Sequence, residues 1–441
     1  MQKILLINPY DTAQDGFTNP PLGLLYLAGT LLAHGFSVRL VDGCQEGRDA
    51  VISALRSWQP DLVGITCLTP GRWKAIDIAR HAKSLVPGCQ VVLGGAHPTI
   101  MWKQMLQHFP EIDLIVIGEG EQTFLEIAQG KAPSTILGLA YRNQDGIPTQ
   151  TSPRPLIEDL DGLPFPAWDL LDLRKYPGRG DGKFRGIDLV HEPRVSVIFS
   201  RGCIGRCDFC STWWIWRRWR HRSPRNMVDE LEFLSRTRGI RHFCFADDAM
   251  TVDREATMGL CEEILRRRLH IAFHVTTRTD CVDLEMLRLL KQAGCYKIAF
   301  GIETASPRLL RLMGKDNQVA QAGKAIRWCR EVGLPVSALL IIGNVGETEE
   351  TLNQTLRFLR TYQPDEVGCV GGLWILPGTK LFRECRAKNL IDDDFWLTEE
   401  PYKVYYEQFT PEQLQAKVRE IVGYRSLIRR LMARLRRWSR R

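Results

Sequence analysis

The sequence predicts an α/β chain: a doubly wound, Rossmann-like parallel sheet, then a partial (β/α)6 barrel of the TIM type, then a helical C-terminal tail. Three observations predict it. Short apolar runs alternate with helical patterns over residues 1–130 and again over 194–380, which indicates parallel sheets covered on both faces. A stretch rich in Pro, Gly and Asp, 131–193, separates the two runs. At 441 residues the chain exceeds one ordinary domain, and its 44% hydrophobic and 25% charged residues suit sizeable cores.

In the first region the strands read 4–7, 37–41, 62–66, 91–94 and 114–118, with helical patterns near 22–34, 46–58, 71–86, 98–108 and 121–128. Open parallel sheets bind ligands beyond the carboxyl ends of their strands. That edge carries Asn8-Pro9-Tyr10, Asp42-Gly43, Thr66 to Thr69, Gly94-Gly95-Ala96-His97-Pro98 and Gly118-Glu119-Gly120-Glu121. The glycines allow a backbone to approach a ligand closely. The stretch 131–193, punctuated by Pro153, Pro155, Pro164 and Pro166, reads as a surface connector with no core of its own, its Asp159 and Asp161 facing solvent. In the barrel region the strands read 195–200, 242–246, 271–276, 296–301, 335–342 and 366–375, separated by helical patterns near 225–237, 253–268, 283–293, 317–332 and 348–361. Barrel chemistry sits at the carboxyl ends of such strands.

The first of those strand ends carries Cys203, Cys207 and Cys210 in one short loop. Three thiolates this close can hold three corners of a [4Fe–4S] cube and leave the fourth iron for a small molecule, whereas electron-transfer clusters normally take four cysteines. A structural zinc would want a fourth Cys or His, and His191 and His221, the nearest histidines, lack finger-like spacing. The later strand ends supply Asp247-Asp248, Arg278, Gly301 with Glu303 and Ser306, Gly343, and Pro377-Gly378-Thr379. Adjacent acids are costly to bury, so Asp247 and Asp248 are expected to face a ligand or, as the alternative, solvent. Arg278 can pair with a carboxylate in bidentate fashion. A Glu in the apolar setting of Glu303 is rarely buried without a partner. Glu347-Thr348 is expected to start a helix. The tryptophans Trp213, Trp214, Trp216 and Trp219, interleaved with arginines, would stack on a flat anionic ligand or on those arginines, would suit a nucleic-acid surface, or would fill the space between the two regions.

Charge and cysteine usage narrow the class. The net charge is +8, but residues 425–441 hold eight arginines and no acid, so the body is near neutral and nucleic-acid binding is not expected. Thirteen cysteines, with no signal-peptide pattern at the N-terminus, suggest reduced thiols and a cytoplasmic protein. No apolar run reaches the roughly 18 residues that span a bilayer. In the tail, Leu414, Val418, Ile421, Ile428, Leu431, Leu435 and Trp438 form an apolar stripe beside the arginines. Such a helix would lie on a membrane surface or pack on the barrel.

The C-x3-C-x2-C spacing, with the aromatic Phe209 just before the last cysteine, resembles the radical S-adenosylmethionine (radical SAM) enzymes. The glycine-bearing edge, together with Pro20-Pro21-Leu22-Gly23-Leu24, resembles the cobalamin-binding domain fused to many of them. The resemblance spans roughly residues 1–380 and implies three cofactors. Cys203, Cys207 and Cys210 would hold a [4Fe–4S] cluster. Phe209, Asp247, Asp248, Arg278, Gly301, Glu303, Ser306, Gly343, Pro377 and Gly378 would serve S-adenosylmethionine. Thr66, Thr69, Gly94, Gly95, Gly118, Glu119 and Gly120 would serve cobalamin. The loop at 10–16 lacks the Asp-x-His-x-x-Gly of classical cobalamin proteins, so no histidine ligand to cobalt is expected. His97, the one histidine at that edge, is expected to cap the following helix or meet solvent.

The implied activity is methyl transfer to an unactivated carbon by way of a 5′-deoxyadenosyl radical and methylcobalamin. The alternatives are ring closure or rearrangement on a tetrapyrrole-like substrate, and methylthiotransfer. The last would need three N-terminal cysteines, the first soon after strand one, whereas the first here is Cys44. A non-enzymatic cobalamin or redox sensor is disfavoured by the full S-adenosylmethionine set. Expected partners are a small-molecule, lipid or pigment substrate, a reductant such as flavodoxin or ferredoxin, and a membrane surface touched through the tail.

Overall fold

The run Ile4-Leu5-Leu6-Ile7 is wholly buried, and its alternate side chains enter two different cores. Ile4 and Leu6 meet Leu25, Leu31 and Phe124, while Leu5 and Ile7 meet Val51, Leu55 and Ile76. That is the signature of a strand covered on both faces. The computed structural model describes residues 2–10 and 19–423. Its N-terminal sheet contains β1 (Lys3–Asn8), β2 (Ser37–Asp42), β3 (Leu62–Thr66), β4 (Gln90–Gly94), β5 (Leu114–Val116), β6 (Leu139–Arg142) and β7 (Pro148–Gln150), in the order β2-β1-β3-β4-β5-β6-β7. The first five are mutually parallel. The order reverses between β1 and β3, the place where open α/β sheets form a ligand crevice.

β6 and β7 correct the reading of 131–193 as a mere connector. β6 pairs antiparallel to β5 and β7 antiparallel to β6, so they extend the sheet. The same stretch buries Leu160, Trp168, Leu173 and Tyr176. Trp168 donates to the buried Glu230 at 2.9 Å and Tyr176 to the buried Asp42 at 2.6 Å, so the segment ties the sheet to the barrel. Asp159 is exposed, but Asp161 accepts from the Ser223 N–H at 2.8 Å.

Six parallel strands follow in sequence order: Arg194–Val197, His242–Phe245, Ala272–Thr277, Cys295–Glu303, Val336–Ile342 and Glu366–Gly371. Their helices begin at good caps. Ser223 accepts from the Asn226 N–H ahead of Pro224–Arg238, and Thr348 forms a capping box ahead of Glu349–Tyr362, as expected of Glu347-Thr348. Two strands are shorter than predicted. The first stops at Val197, and Ser200–Arg201 instead pairs antiparallel with Arg220–His221, closing the cysteine and tryptophan segment into a loop. The sixth breaks at Gly372, whose φ of +84° only glycine adopts readily, and Leu373–Ile375 turns to pair with Lys403–Tyr405.

The C-terminal region is divided between the two sheets. Leu381, Phe382, Cys385 and Trp396 join the N-terminal core. Arg72, fully buried, donates to the carbonyls of Thr69, Trp396, Thr398, Glu400 and Pro401 and so fixes that segment in place. Leu414 and Ile421 are buried against the barrel core beside Val367 and Cys369. The described part of the apolar tail stripe therefore packs on the barrel; Ile428 to Trp438 and the arginines lie outside the described residues. Among the described residues no helix is long and apolar enough to cross a membrane.

Candidate functional site

The glycine edge and the barrel face each other across a cavity of about 410 Å³. Thr66, Gly94, Gly95, Gly118, Glu119 and Gly120, all expected at a ligand, line it from the sheet. Asp248 and the short helix Thr212–Trp216 line it from the barrel. Within that helix Thr212, Ile215 and Trp216 face the cavity, the i, i+3, i+4 set of one helical face.

The charged residues of the edge are committed to each other. Arg201, which sequence reasoning passed over, donates to Glu119 at 2.7 Å and to Glu121 at 2.6 Å. Arg220 adds a 3.0 Å bond to Glu119, and the Ile157 N–H a 2.7 Å bond. All four charged side chains are buried. Glu119 therefore serves as a clamp between sheet and barrel as well as a wall of the cavity. Thr69 does not reach the cavity. Its hydroxyl lies 3.2 Å from His97 Nδ1, and both are buried. His97 neither caps a helix through its side chain nor meets solvent: it packs edge-on to Trp396, and burial, then the nearby Arg72, push its pKa down to about 3. It stays neutral.

Beside the cavity the three cysteines lie in the loop closed by Ser200–Arg201 and Arg220–His221. Gly205 makes room between them: a Cβ there would stand 3.5 Å from Cys203 Sγ, 3.7 Å from Cys207 Sγ and 2.8 Å from Arg278 Nη1. Burial pushes the Cys207 thiol up to about 11 and the Cys210 thiol upward. Thiolates form there only with cationic charge beside them. The donor set therefore fits a multi-iron group.

Charged pairs surround the thiols. Glu303 has the partner its setting demands, Lys315, at 2.6 Å, with both side chains largely buried. Glu303 also takes a φ of +62° at a bulge in its strand, the kind of backbone strain concentrated at functional sites. Gly301 lies against this pair; its Cβ would fall 2.7 Å from Glu303 Oε1. Arg278 makes the anticipated bidentate contact, with Asp280 at 2.9 and 2.7 Å, and reaches Asn317 at 3.0 Å. Lys315 and Asn317 were missed because they follow a short helix rather than end a strand.

Other expectations are revised. Asp247 does not line the cavity. It is buried, accepts from the Phe199 N–H at 3.3 Å, the Ser200 N–H and the Ser200 hydroxyl at 2.5 Å, and burial raises its pKa to about 7. It braces the root of the cysteine loop. Asp248 lines the cavity and accepts from the Thr212 hydroxyl at 3.1 Å, with burial raising its pKa. Pro377 and Gly378 form a turn against Ile100 of the N-terminal region; a Cβ on Gly378 would come 2.9 Å from it. Gly343 is covered by Leu414, and its N–H donates to Glu347 at 3.3 Å. Phe209 packs behind the loop among Leu312, Met313 and Val345. Ser306 Oγ is buried with no hydrogen-bond partner. Trp213 and Trp214 stack on Arg206 and Arg383, at 4.2 and 5.1 Å, and Trp216 on Arg201 at 5.6 Å.

The B12 binding domain family matches residues 11–128 and the radical SAM superfamily matches 197–359. An uncharacterized methyltransferase of Pyrococcus horikoshii is 32% identical over 433 residues, covering 95% of this chain and 91% of its own length. The anaerobic magnesium-protoporphyrin IX monomethyl ester cyclase of Rubrivivax gelatinosus is 35% identical over 391 residues, 85% of this chain and 68% of its own. The structure of the radical S-adenosylmethionine methyltransferase TsrM from Kitasatospora setae superimposes with a TM-score of 0.72 at 22% identity, covering 88% of this chain and 76% of that one, which shows a shared fold.

Proposed function

The chain belongs to the cobalamin-binding radical SAM enzymes, and on that premise we propose that it transfers a methyl group to an unactivated carbon of a small molecule. The observation that supports this best is the shared cavity. One wall is the glycine edge and the other is the helix that leads out of the cysteine loop. A corrin on the glycine edge and a radical source at the cysteine loop would then stand on either side of that cavity.

Bound there, the cluster and S-adenosylmethionine supply radical chemistry, and cobalamin supplies a methyl carrier. The rest falls to the protein. Cys203, Cys207 and Cys210 would hold the cluster. Glu303, fixed by Lys315, would accept the S-adenosylmethionine amine, and Arg278 with Asp280 sets the charge at the loop. Gly94, Gly95 and Gly118 would meet the corrin through their backbone. His97 is buried against Trp396, and no histidine side chain of the described part of this edge lines the cavity. On the barrel side of the cavity Ile198 and Ile215 present apolar surface, which favours a substrate with an apolar body, such as a lipid or pigment.

Oxidative ring closure is the second reading, favoured by the 35% identity to the cyclase. Methyl transfer is preferred because the methyltransferase match runs over 91% of that protein's length, against 68% for the cyclase. Anaerobic incubation of the reconstituted enzyme with small-molecule extracts and S-adenosylmethionine deuterated in its methyl group separates them. A product that gains the labelled methyl supports the proposal. A product that loses hydrogens and carries no label overturns it in favour of ring closure.

A further inference from the structure

Resting on the reading of this chain as a methyl-transferring enzyme, we propose that its substrate carries an oxyanion, a carboxylate or a phosphate, and that Arg194 holds it inside the barrel. Six arginines are buried among the described residues. Arg201, Arg220, Arg222 and Arg278 each hold a carboxylate. Arg72 holds five carbonyls. Arg194, 8% exposed, donates at 3.0 Å to the neutral Asn19 Oδ1, on a residue that is itself exposed, and among the described residues it has no carboxylate. A buried charge is costly unless it is paired.

The strands place this arginine at the end of a polar row. Ser196 donates to the same Asn19 Oδ1 at 3.3 Å, so Arg194 and Ser196 share one face of the first barrel strand. Ile198, on that face by alternation, lines the cavity. In register with Ser196 across the next three strands stand Cys244, His274 and Lys297. The opposite face of those strands carries Phe243, Phe245, Phe273, Val275 and Ile298, all fully buried, so the polar row faces into the barrel. Barrel interiors are normally filled by bulky branched side chains, whereas Cys244, His274 and Lys297 keep accessible surface. Arg194 and Ile198 are separated by about 13 Å of strand. A molecule with its apolar body beside Ile198 and Ile215 thus reaches Arg194 with its far end.

The acids around the row are committed elsewhere. Glu366 holds Lys297 at 2.9 Å, Glu192 holds Arg241 at 2.7 Å, and Asp247 is bound to Ser200. The Tyr296 hydroxyl, beside Arg194, is shared with His242 Nε2 and the Arg179 carbonyl, at 3.1 Å each. His274, whose Nδ1 lies 3.6 Å from Cys244 Sγ, is held neutral: burial, then Lys297 and Arg194, push its pKa down to about 3. The row therefore offers a hydroxyl, a thiol and a neutral imidazole around one unbalanced guanidinium. A guanidinium binds a carboxylate or phosphate through two parallel hydrogen bonds, and such a group would supply the charge that Arg194 lacks.

The test uses Cys244 as a reporter in the anaerobically reconstituted holoenzyme. The protein is treated with iodoacetate, a carboxylate, or with its neutral isostere iodoacetamide, and alkylation of Cys244 is followed by peptide mass spectrometry. The ratio of the two rates, which cancels the reactivity of the thiol itself, should favour iodoacetate by about tenfold over the ratio for free cysteine, the scale of one charge-assisted hydrogen bond. Arg194→Met should remove the preference and Arg194→Lys should keep most of it. A wild type without the preference, a wild type whose Cys244 reacts with neither reagent, or an Arg194→Met protein that keeps the preference overturns the site; the first two need no variant. The product that gains the deuterated methyl in the extract experiment should carry the oxyanion, with carbodiimide amidation marking a carboxylate and phosphorus analysis a phosphate. A labelled product with neither overturns the acidic substrate and leaves methyl transfer standing. The preference at Cys244 together with an unlabelled product overturns methyl transfer and leaves the anion site standing.

Discussion

The glycine edge of the N-terminal sheet, which lines the cavity, and the charged strand ends of the barrel, which surround the cysteine loop beside it, are built from opposite materials. On the sheet side the ionic groups are spent on one another. Glu119 and Glu121 are held by Arg201 and Arg220, and the neutral His97 is tied to Thr69. What remains facing the cavity is mostly backbone and apolar surface, suited to a large flat ligand met by shape. On the barrel side, Glu303 with Lys315 and Arg278 with Asp280 crowd around three thiols, suited to small charged groups. Adding a single carbon should therefore injure the first wall, and removing a charge or a thiol the second.

The largest effect is expected on the barrel side. Replacing Cys203, Cys207 or Cys210 with Ala should remove about four irons per chain and the visible absorbance of the reconstituted protein, and abolish turnover. Cobalamin uptake should survive, because the glycine edge does not depend on the thiols. Iron assay and absorbance check both halves; a variant that keeps its full iron removes that cysteine from the ligand set.

Next comes the clamp that holds the two walls together. Arg201→Met leaves Glu121 buried without its partner and Glu119 with Arg220 and the Ile157 N–H; the side chains of Glu119 and Glu121 are 3% and 7% exposed. Breaking a buried pair from one side costs about 3–5 kcal/mol. Denaturant unfolding should register a loss toward the lower end of that range, since Arg220 remains. A loss under about 1 kcal/mol, the level of an exposed ion pair, would mean that the clamp is solvated in solution.

Much of this contrast was legible in the sequence, and the exceptions have physical causes. The strand at 4–7 was legible because four consecutive apolar residues sit between two helical layers. The cysteine loop was legible because three ligands to one cluster must be near in sequence. Asp247 and Asp248 look alike in a sequence, but neighbouring residues at a strand end point opposite ways, so one braces Ser200 and the other meets the cavity. Lys315 lies twelve residues beyond Glu303, across a short helix, and no periodicity links them. β6 was hidden because it is only four residues long, and β7 because a short edge strand tolerates proline and polar residues, as Pro148 at its start shows.

The Asp247 brace carries a pH signature. Its pKa in the folded chain, about 7, lies above the ordinary value of 3.8, with burial the largest cause. The folded state thus holds the proton more tightly than the unfolded one. The stability this gives is fully present below about pH 4 and is lost as pH rises through 7, with a limiting slope of roughly 1.4 kcal/mol per pH unit. Asp247→Asn should flatten the stability profile between those values, while lowering it throughout, because one acceptor facing a backbone N–H becomes a donor. Urea unfolding across pH 4–8 checks it; equal slopes in the two proteins would remove Asp247 as the source.

The smallest expected effect tests the glycine wall. Gly95 has φ +105° and ψ −172°, a region that residues with a side chain essentially avoid. A Cβ there would stand 2.8 Å from the Cys67 carbonyl oxygen and 3.2 Å from the Cys67 nitrogen, backbone atoms that cannot swing aside. Gly95→Ala should therefore cost on the order of 1–3 kcal/mol and shift the loop on which the corrin is to lie. Its consequence should be selective: weaker uptake of hydroxocobalamin, with iron content unchanged. Gly88 is the control, with φ +91° but open space around its Cβ position and a place far from the cavity. Gly88→Ala should show the backbone cost without the loss of cobalamin. If both variants bind cobalamin as the wild type does, the sheet edge is not met through its backbone, and the contrast between the two walls fails on this side.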